Sequence, residues 1–232
     1  MDVIFEVVWD LWAEMLIIAM PKSASSSLLH TLADLHGLEK PDFTQLWLSL
    51  SFSGEFPVFH RQHGYSMREL DDSAVNAILK PNIICRAHIL PSRNNQDLLR
   101  NKKKVVLLRD PVDVVMAYRR GTVNGTHRMQ SVMDFAGCQS EEDWLERAQR
   151  NGLMRDIVGF YRGWLRHEGE KLAISFDELV SHPTEAINKI EEYFALPQSK
   201  SVQLKKYNYS RIGQIAIWKQ RVRNAKRRFL ES

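Results

Sequence analysis

Four short apolar runs punctuate the 232-residue chain: Leu16-Ile17-Ile18-Ala19-Met20, the Ile83-Ile84-Cys85 centre of residues 82–88, Val105-Val106-Leu107-Leu108 within residues 104–111, and Leu172-Ala173-Ile174-Ser175-Phe176. Each has the length of a strand, and the run within residues 104–111 has the apolar character of one covered on both faces. Between them the apolar spacing turns helical. Leu28, Leu29, Leu32 and Leu35 follow the first run, with Gly37 placed to stop that helix, and Val112, Val115 and Met116 follow Pro111, a favoured first helical residue. Trp144, Ala148, Ile157, Phe160, Tyr161 and Trp164 recur over residues 141–167 with a break at Asn151-Gly152, and Ala186, Ile187, Ile190 and Phe194 mark a helix from Pro183 to Phe194. Strands that alternate with helices predict βαβ units and a largely parallel sheet. Residues 3–14 fit strand and helix patterns equally. Residues 41–65 are rich in aromatics, broken by Gly54, Pro57 and Gly64, and read either as loops and short helices over a pocket or as core aromatics beneath an irregular surface. Residues 121–137, with mixed polarity and glycines at both ends, read as a connection. No repeat or linker divides the chain, so residues 1–232 are expected to be one domain.

Composition narrows the class. An apolar fraction of 44% and a charged fraction of 26% are those of a globular protein. The net charge is +4, concentrated in Lys102-Lys103-Lys104 and between Lys219 and Arg228, which suits an anionic ligand better than a nucleic acid. Two cysteines, Cys85 and Cys138, make no disulfide framework and match no zinc spacing, so a reducing compartment and no metal are expected. Asp2, Glu6, Asp10 and Glu14 interrupt the apolar start, which argues against a signal peptide or a membrane span and for a cytoplasmic protein. Nothing in the chain speaks to its oligomeric state.

The chemistry gathers at the ends of the apolar runs. After Met20 the chain passes through Pro21-Lys22-Ser23-Ala24-Ser25-Ser26-Ser27 into a helix, a junction whose amides and helix dipole favour an anion. Lys22 adds a mobile ammonium, and the serines can cap the helix or bond anionic oxygens. A serine-rich cap beside a solvated lysine reads the same stretch without a ligand. The second run ends at His88 and the third at Arg109. Singly, His88 also reads as a satisfied core histidine and Arg109 as an ion-pair partner of Asp110 or Asp113. In parallel sheets, however, ligands bind beyond the carboxyl ends of the strands, and Lys22, His88 and Arg109 together supply a cation, a base that titrates near neutral pH and a bidentate anion clamp. They are expected to share one cleft, Lys22 and His88 close together and Arg109 farther off beside Arg211.

At these residues the chain resembles the sulfotransferases that use 3′-phosphoadenosine 5′-phosphosulfate (PAPS). Pro21-Lys22-Ser23-Ala24-Ser25-Ser26 is similar to that family's Pro-Lys-Ser-Gly-Thr-Thr loop, and Arg86-Ala87-His88-Ile89-Leu90-Pro91 to its Lys-Thr-His-Leu-Pro element. The stretch from Val105 to Val115 resembles the strand and helix that hold the 3′-phosphate. Ser175-Phe176-Asp177-Glu178-Leu179 resembles the Tyr-Glu-Asp-Leu element, and Arg211-Ile212-Gly213 with Trp218-Lys219 the closing Arg-Lys-Gly motif. The resemblance implies a P-loop-like, three-layer α/β/α fold with a central, mostly parallel sheet. It implies PAPS as co-substrate and PAP as product, no metal, and a hydroxyl-bearing acceptor whose class the sequence leaves open. By the same resemblance His88 is the base and Lys22 steadies the leaving phosphate, while Ser23, Ala24, Ser25, Ser26, Ser27, Arg109, Phe176, Arg211, Ile212 and Gly213 hold the nucleotide.

Departures from the family pattern carry their own expectations. Ala24 replaces the loop glycine, so either its backbone avoids positive φ or the loop is reshaped. Ala117 stands in place of a serine, Ser27 of a tryptophan, Phe176 of a tyrosine, Ile212 of a lysine and Ala216 of a glycine. Adenine recognition is therefore the part least like the family. Two rival readings remain: a P-loop nucleotide kinase, although Gly-x-x-x-x-Gly-Lys-Ser/Thr is absent and the lysine here precedes the serines, and a non-catalytic module that binds PAPS or another anion.

Overall fold

A computed structural model describes residues 14–40, 69–124 and 135–205. The undecided segment 3–14 apart from Glu14, the aromatic stretch 41–65 and the residues after 205, Arg211, Ile212 and Gly213 among them, lie outside the described residues.

The four apolar runs are strands β1 (Glu14–Ala19), β2 (Ile83–Ala87), β3 (Lys104–Leu108) and β4 (Leu172–Ser175). They form one sheet in the order β2-β1-β3-β4, and every pairing is parallel. Residues alternate between its two faces, and both are covered. Leu16, Ile18, Cys85 and Val106 share a core with residues of α2 (Asp72–Ile78), α4 (Pro111–Val123), α5 (Glu141–Arg150) and α6 (Leu153–Arg166). Met15, Ile17, Ala19, Ile84, Val105 and Leu107 pack on the other face with α1 (Ser25–His36), α7 (Phe176–Ser181) and α8 (Pro183–Phe194). A short helix, α3 (Arg93–Leu98), links β2 to β3. The result is the three-layer, P-loop-like α/β/α architecture, and among the described residues no helix is long and apolar enough to cross a membrane.

Local chemistry explains where the elements stop. Asp110 caps α4, its carboxylate accepting from the Val112 and Asp113 amides at 2.8 and 3.2 Å, with Pro111 as the first helical residue. Asn151-Gly152 divides α5 from α6, with Gly152 at φ 86°. Two expected boundaries move. Phe176 opens α7 rather than ending β4, because Ser175 accepts from the Glu178 amide at 3.0 Å and caps the helix. Helix α4 runs through Gly121 to Val123, so the connection expected from residue 121 starts later; Val114, Val115 and Tyr118 bury one side of α4, which offsets the roughly 1 kcal/mol that a helical glycine costs.

Two buried polar groups tie the layers. Lys104, fully buried at the start of β3, donates to the carbonyls of Leu99, Lys102 and Glu170 at 2.7, 2.7 and 2.8 Å, one for each ammonium proton. Glu191 on α8, also fully buried, binds His36 Nε2 at 2.9 Å and accepts from the Ser199 hydroxyl and amide at 2.6 and 2.8 Å. The far end of α1 is thereby fixed to α8.

Candidate functional site

Parallel pairing puts the carboxyl ends of all four strands on one edge. Ile18 is in register with Ala87, Ala19 with Leu107 and Leu108 with Ser175. The next residues along each strand therefore meet there: the loop from Met20 to Ala24, His88, Arg109 and Phe176.

The loop is held in an unusual backbone. Lys22 has φ 69° and Ala24 φ 59°, ψ 13°, both left-handed, while Ser23 between them is not. For a residue with a Cβ this conformation costs about 1–2 kcal/mol. The alanine thus does not avoid positive φ; it adopts the geometry for which glycine is better suited. Such alternation turns successive amides toward one concavity, an arrangement that takes anions. Ala24 is also the N-cap of α1, and no side chain caps the helix. Serine capping, expected as one use of this stretch, does not occur, and the opening amides of α1 lack the usual intrahelical acceptors. Burial pushes the Lys22 ammonium below the ordinary lysine range, and no hydrogen bond or ion pair from the described residues engages it.

Arg109 joins the loop to its neighbours. Its Nη1 donates to the Lys22 carbonyl at 2.5 Å, and its guanidinium lies over the Phe176 ring, 3.9 Å from the centroid. It therefore grips the loop directly, closer than expected. The ion-pair reading with Asp110 is not met, since that carboxylate caps α4; Asp113 acts only as a nearby favourable charge. Beneath the loop, Ser23 Oγ, Arg109 Nε and Tyr161 OH are all buried without a hydrogen-bond partner of good geometry. The Tyr161 hydroxyl still lies near Ser23 and the Arg109 amide, and burial pushes its pKa up to about 12. The Ser23 and Tyr161 hydroxyls thus lie together under the cationic loop, which rests on a polar floor rather than on a purely apolar core.

His88 hangs from the same loop. Its Nδ1 lies 2.5 Å from the carbonyl oxygen of Ala19, the last residue of β1, so Nδ1 carries the proton and Nε2 is the basic nitrogen. It is a half-buried ring at the sheet edge rather than one enclosed in the core.

The structure thus brings Lys22, Ser23, Ala24, Ser25, Ser26, Ser27, Arg109 and Phe176 into one connected group, with His88 tethered to the residue just before the loop. Arg211, Ile212 and Gly213 lie outside the described residues. Sequence reasoning missed Tyr161, which read as one more apolar position on α6; its hydroxyl, which a buried position must satisfy, was the available signal.

Comparison with known proteins places this arrangement in a fold. No protein-family model matches the chain, and no curated protein matches it. Among solved structures, the chain is similar to a sulfotransferase from Alicyclobacillus acidocaldarius, with 14% identity over 88% of this chain and 89% of that one and a TM-score of 0.53. It is also similar to the mouse sulfotransferase SULT7A1 complexed with PAP, with 13% identity, a TM-score of 0.50, and coverage of 81% of this chain but only 60% of that one. At these identities the likeness is one of fold: the chain has a sulfotransferase-like, P-loop-like α/β architecture.

Proposed function

We propose that the protein is a PAPS-dependent sulfotransferase, which moves a sulfuryl group to an acceptor hydroxyl. One observation carries the reading: an uncapped, left-handed cationic loop that Arg109 grips at the Lys22 carbonyl, beside a histidine whose Nδ1 is committed to Ala19. The mouse neighbour's PAP complex supports the choice of nucleotide. The loop amides with Ser23, Ser25 and Ser26 would hold the 5′-phosphosulfate. Arg109, with Arg211 and Gly213 from beyond the described residues, would hold the 3′-phosphate.

Bound PAPS supplies a sulfuryl group that passes from a phosphate oxygen to the acceptor oxygen, with the electron pair of the broken S–O bond leaving on PAP. The protein's part is placement and charge. His88 takes the acceptor's hydroxyl proton at Nε2, and its tether keeps that nitrogen oriented. Lys22 stabilises the negative charge on the departing oxygen. The kinase reading lacks the lysine placement of its loop, and the non-catalytic reading leaves the tautomer of His88 without a use. Turnover of PAPS with a panel of alcohols, phenols, sugars and peptides tests the proposal: PAP release that depends on acceptor supports it, and tight PAP binding with no turnover on any acceptor would assign the binding module instead. The compartment is proposed to be the cytoplasm.

A further inference from the structure

Arg109 and β3 lie on one side of β1, and the edge strand β2, which carries His88, lies on the other. On the β2 side a second group of cations lines the flank of α1, the helix that starts at the loop and packs against β2. Arg86, two residues before His88, is on the same sheet face as Ile17 and α1, and its Nε is buried without a partner. Lys40 Nζ lies 3.5 Å from His30 Nδ1, anchored because the preceding residue, Glu39, is paired to β2: its amide donates to the Asn82 carbonyl and its carbonyl accepts from the Ile84 amide, both at 2.9 Å. Lys205 bonds through its amide to Thr31 Oγ1 at 3.0 Å and pairs with Asp34. Among the described residues, the acids here are that paired Asp34 and the exposed Glu39, so positive charge prevails among them. Burial first, then Lys40, Arg86 and Lys205, push the pKa of His30 down, as a ring facing several cations requires. His30 sits one turn below Ser26, so the group starts about 6 Å from the anion loop along the helix.

We propose that this flank is a recognition strip for an acceptor that bears an oxyanion of its own, an inference that rests on the transferase reading for the word acceptor but not for the site. A neutral alcohol has no charge to meet this flank, whereas a carboxylate, sulfate or phosphate presented along α1 would be drawn to the Arg86, Lys40 and Lys205 charges while the molecule's hydroxyl lies toward His88. A hydrogen bond between charged groups discriminates by roughly tenfold or more.

The test uses the full chain and two probes that differ at one carbon, phenyl β-glucuronide with a carboxylate and phenyl β-glucoside with a hydroxymethyl group, with affinities measured by calorimetry with and without PAP. The glucuronide is expected to bind at least about tenfold more tightly, with the gap narrowing as salt rises. Arg86→Gln, or Lys40→Gln combined with Lys205→Gln at exposed positions, should reduce the gap to threefold or less while PAP affinity is unchanged. Equal binding of the two probes, or a preference that survives both sets of substitutions, would overturn the inference even if PAP binds well. A glucuronide preference without PAP binding would instead overturn the transferase reading and leave the strip standing.

Discussion

His88 donates its Nδ1 proton to the carbonyl oxygen of Ala19, 2.5 Å away, and this bond sets which nitrogen can act as a base. Asparagine can reproduce the Nδ1 donor but has no basic nitrogen. His88→Asn is therefore expected to keep the fold and PAP affinity while lowering turnover by about 10²–10⁴. Near wild-type turnover in a folded variant would show that the proton goes elsewhere.

Ala24 holds a left-handed backbone that a glycine adopts without strain. Ala24→Gly should raise stability by up to about 1 kcal/mol in urea denaturation, because the native conformation at this position loses its Cβ penalty. A loss of stability would mean that the freedom glycine gives the unfolded chain outweighs the relief.

Arg109 both bonds to the Lys22 carbonyl and stacks on Phe176, so two contacts depend on one side chain. Arg109→Ala should weaken PAP binding tenfold or more by calorimetry. Arg109→Lys keeps the charge but cannot reproduce the stacked, forked geometry, and should recover only part of that loss.

Burial lowers the pKa of Lys22. For a base whose pKa falls, the charged form is lost earlier as pH rises, so affinity for PAP should decline with rising pH through a window below the ordinary lysine range of about 10.4. Lys22→Arg stays charged and should flatten that decline while binding is measured from pH 7 to 10. The same slope in both proteins would place the titrating group elsewhere.

Lys104 satisfies three buried carbonyls with its three protons, even though burial and the nearby Lys171 push its pKa down to about 8. Lys104→Met leaves three acceptors unpaired and should cost about 3 kcal/mol or more in denaturant unfolding. A neutral result would show that the surrounding chain finds other donors.

The architecture was legible because strands buried on both faces are written as unbroken runs: Ile17-Ile18-Ala19 and Val105-Val106-Leu107 have no exposed side to encode. Lys22, His88 and Arg109 stood out because each follows such a run. What stayed hidden depends on backbone angles and on contacts between distant residues. The left-handed turn at Ala24 contradicts its own residue type, and the bond from Arg109 to a main-chain oxygen across 87 positions has no pattern in the chain. Arg86 falls within the sequence motif around His88, but its place beside His30 and Lys40 depends on how α1 lies over β2.

Helix α1 has one end at the anion loop and the other fixed by His36 to the buried Glu191. At about 1.5 Å per residue, its twelve residues make a strut some 18 Å long with its foot clamped on the opposite edge of the sheet. A charged group that pulls on the loop amides meets a braced support rather than a sliding one. Little ordering is then left to be done when an anion arrives, and more of the attraction remains as affinity. Loosening the clamp with His36→Ala, at the opposite end of α1 from the loop, would let the strut yield and would weaken anion binding at the loop from a distance.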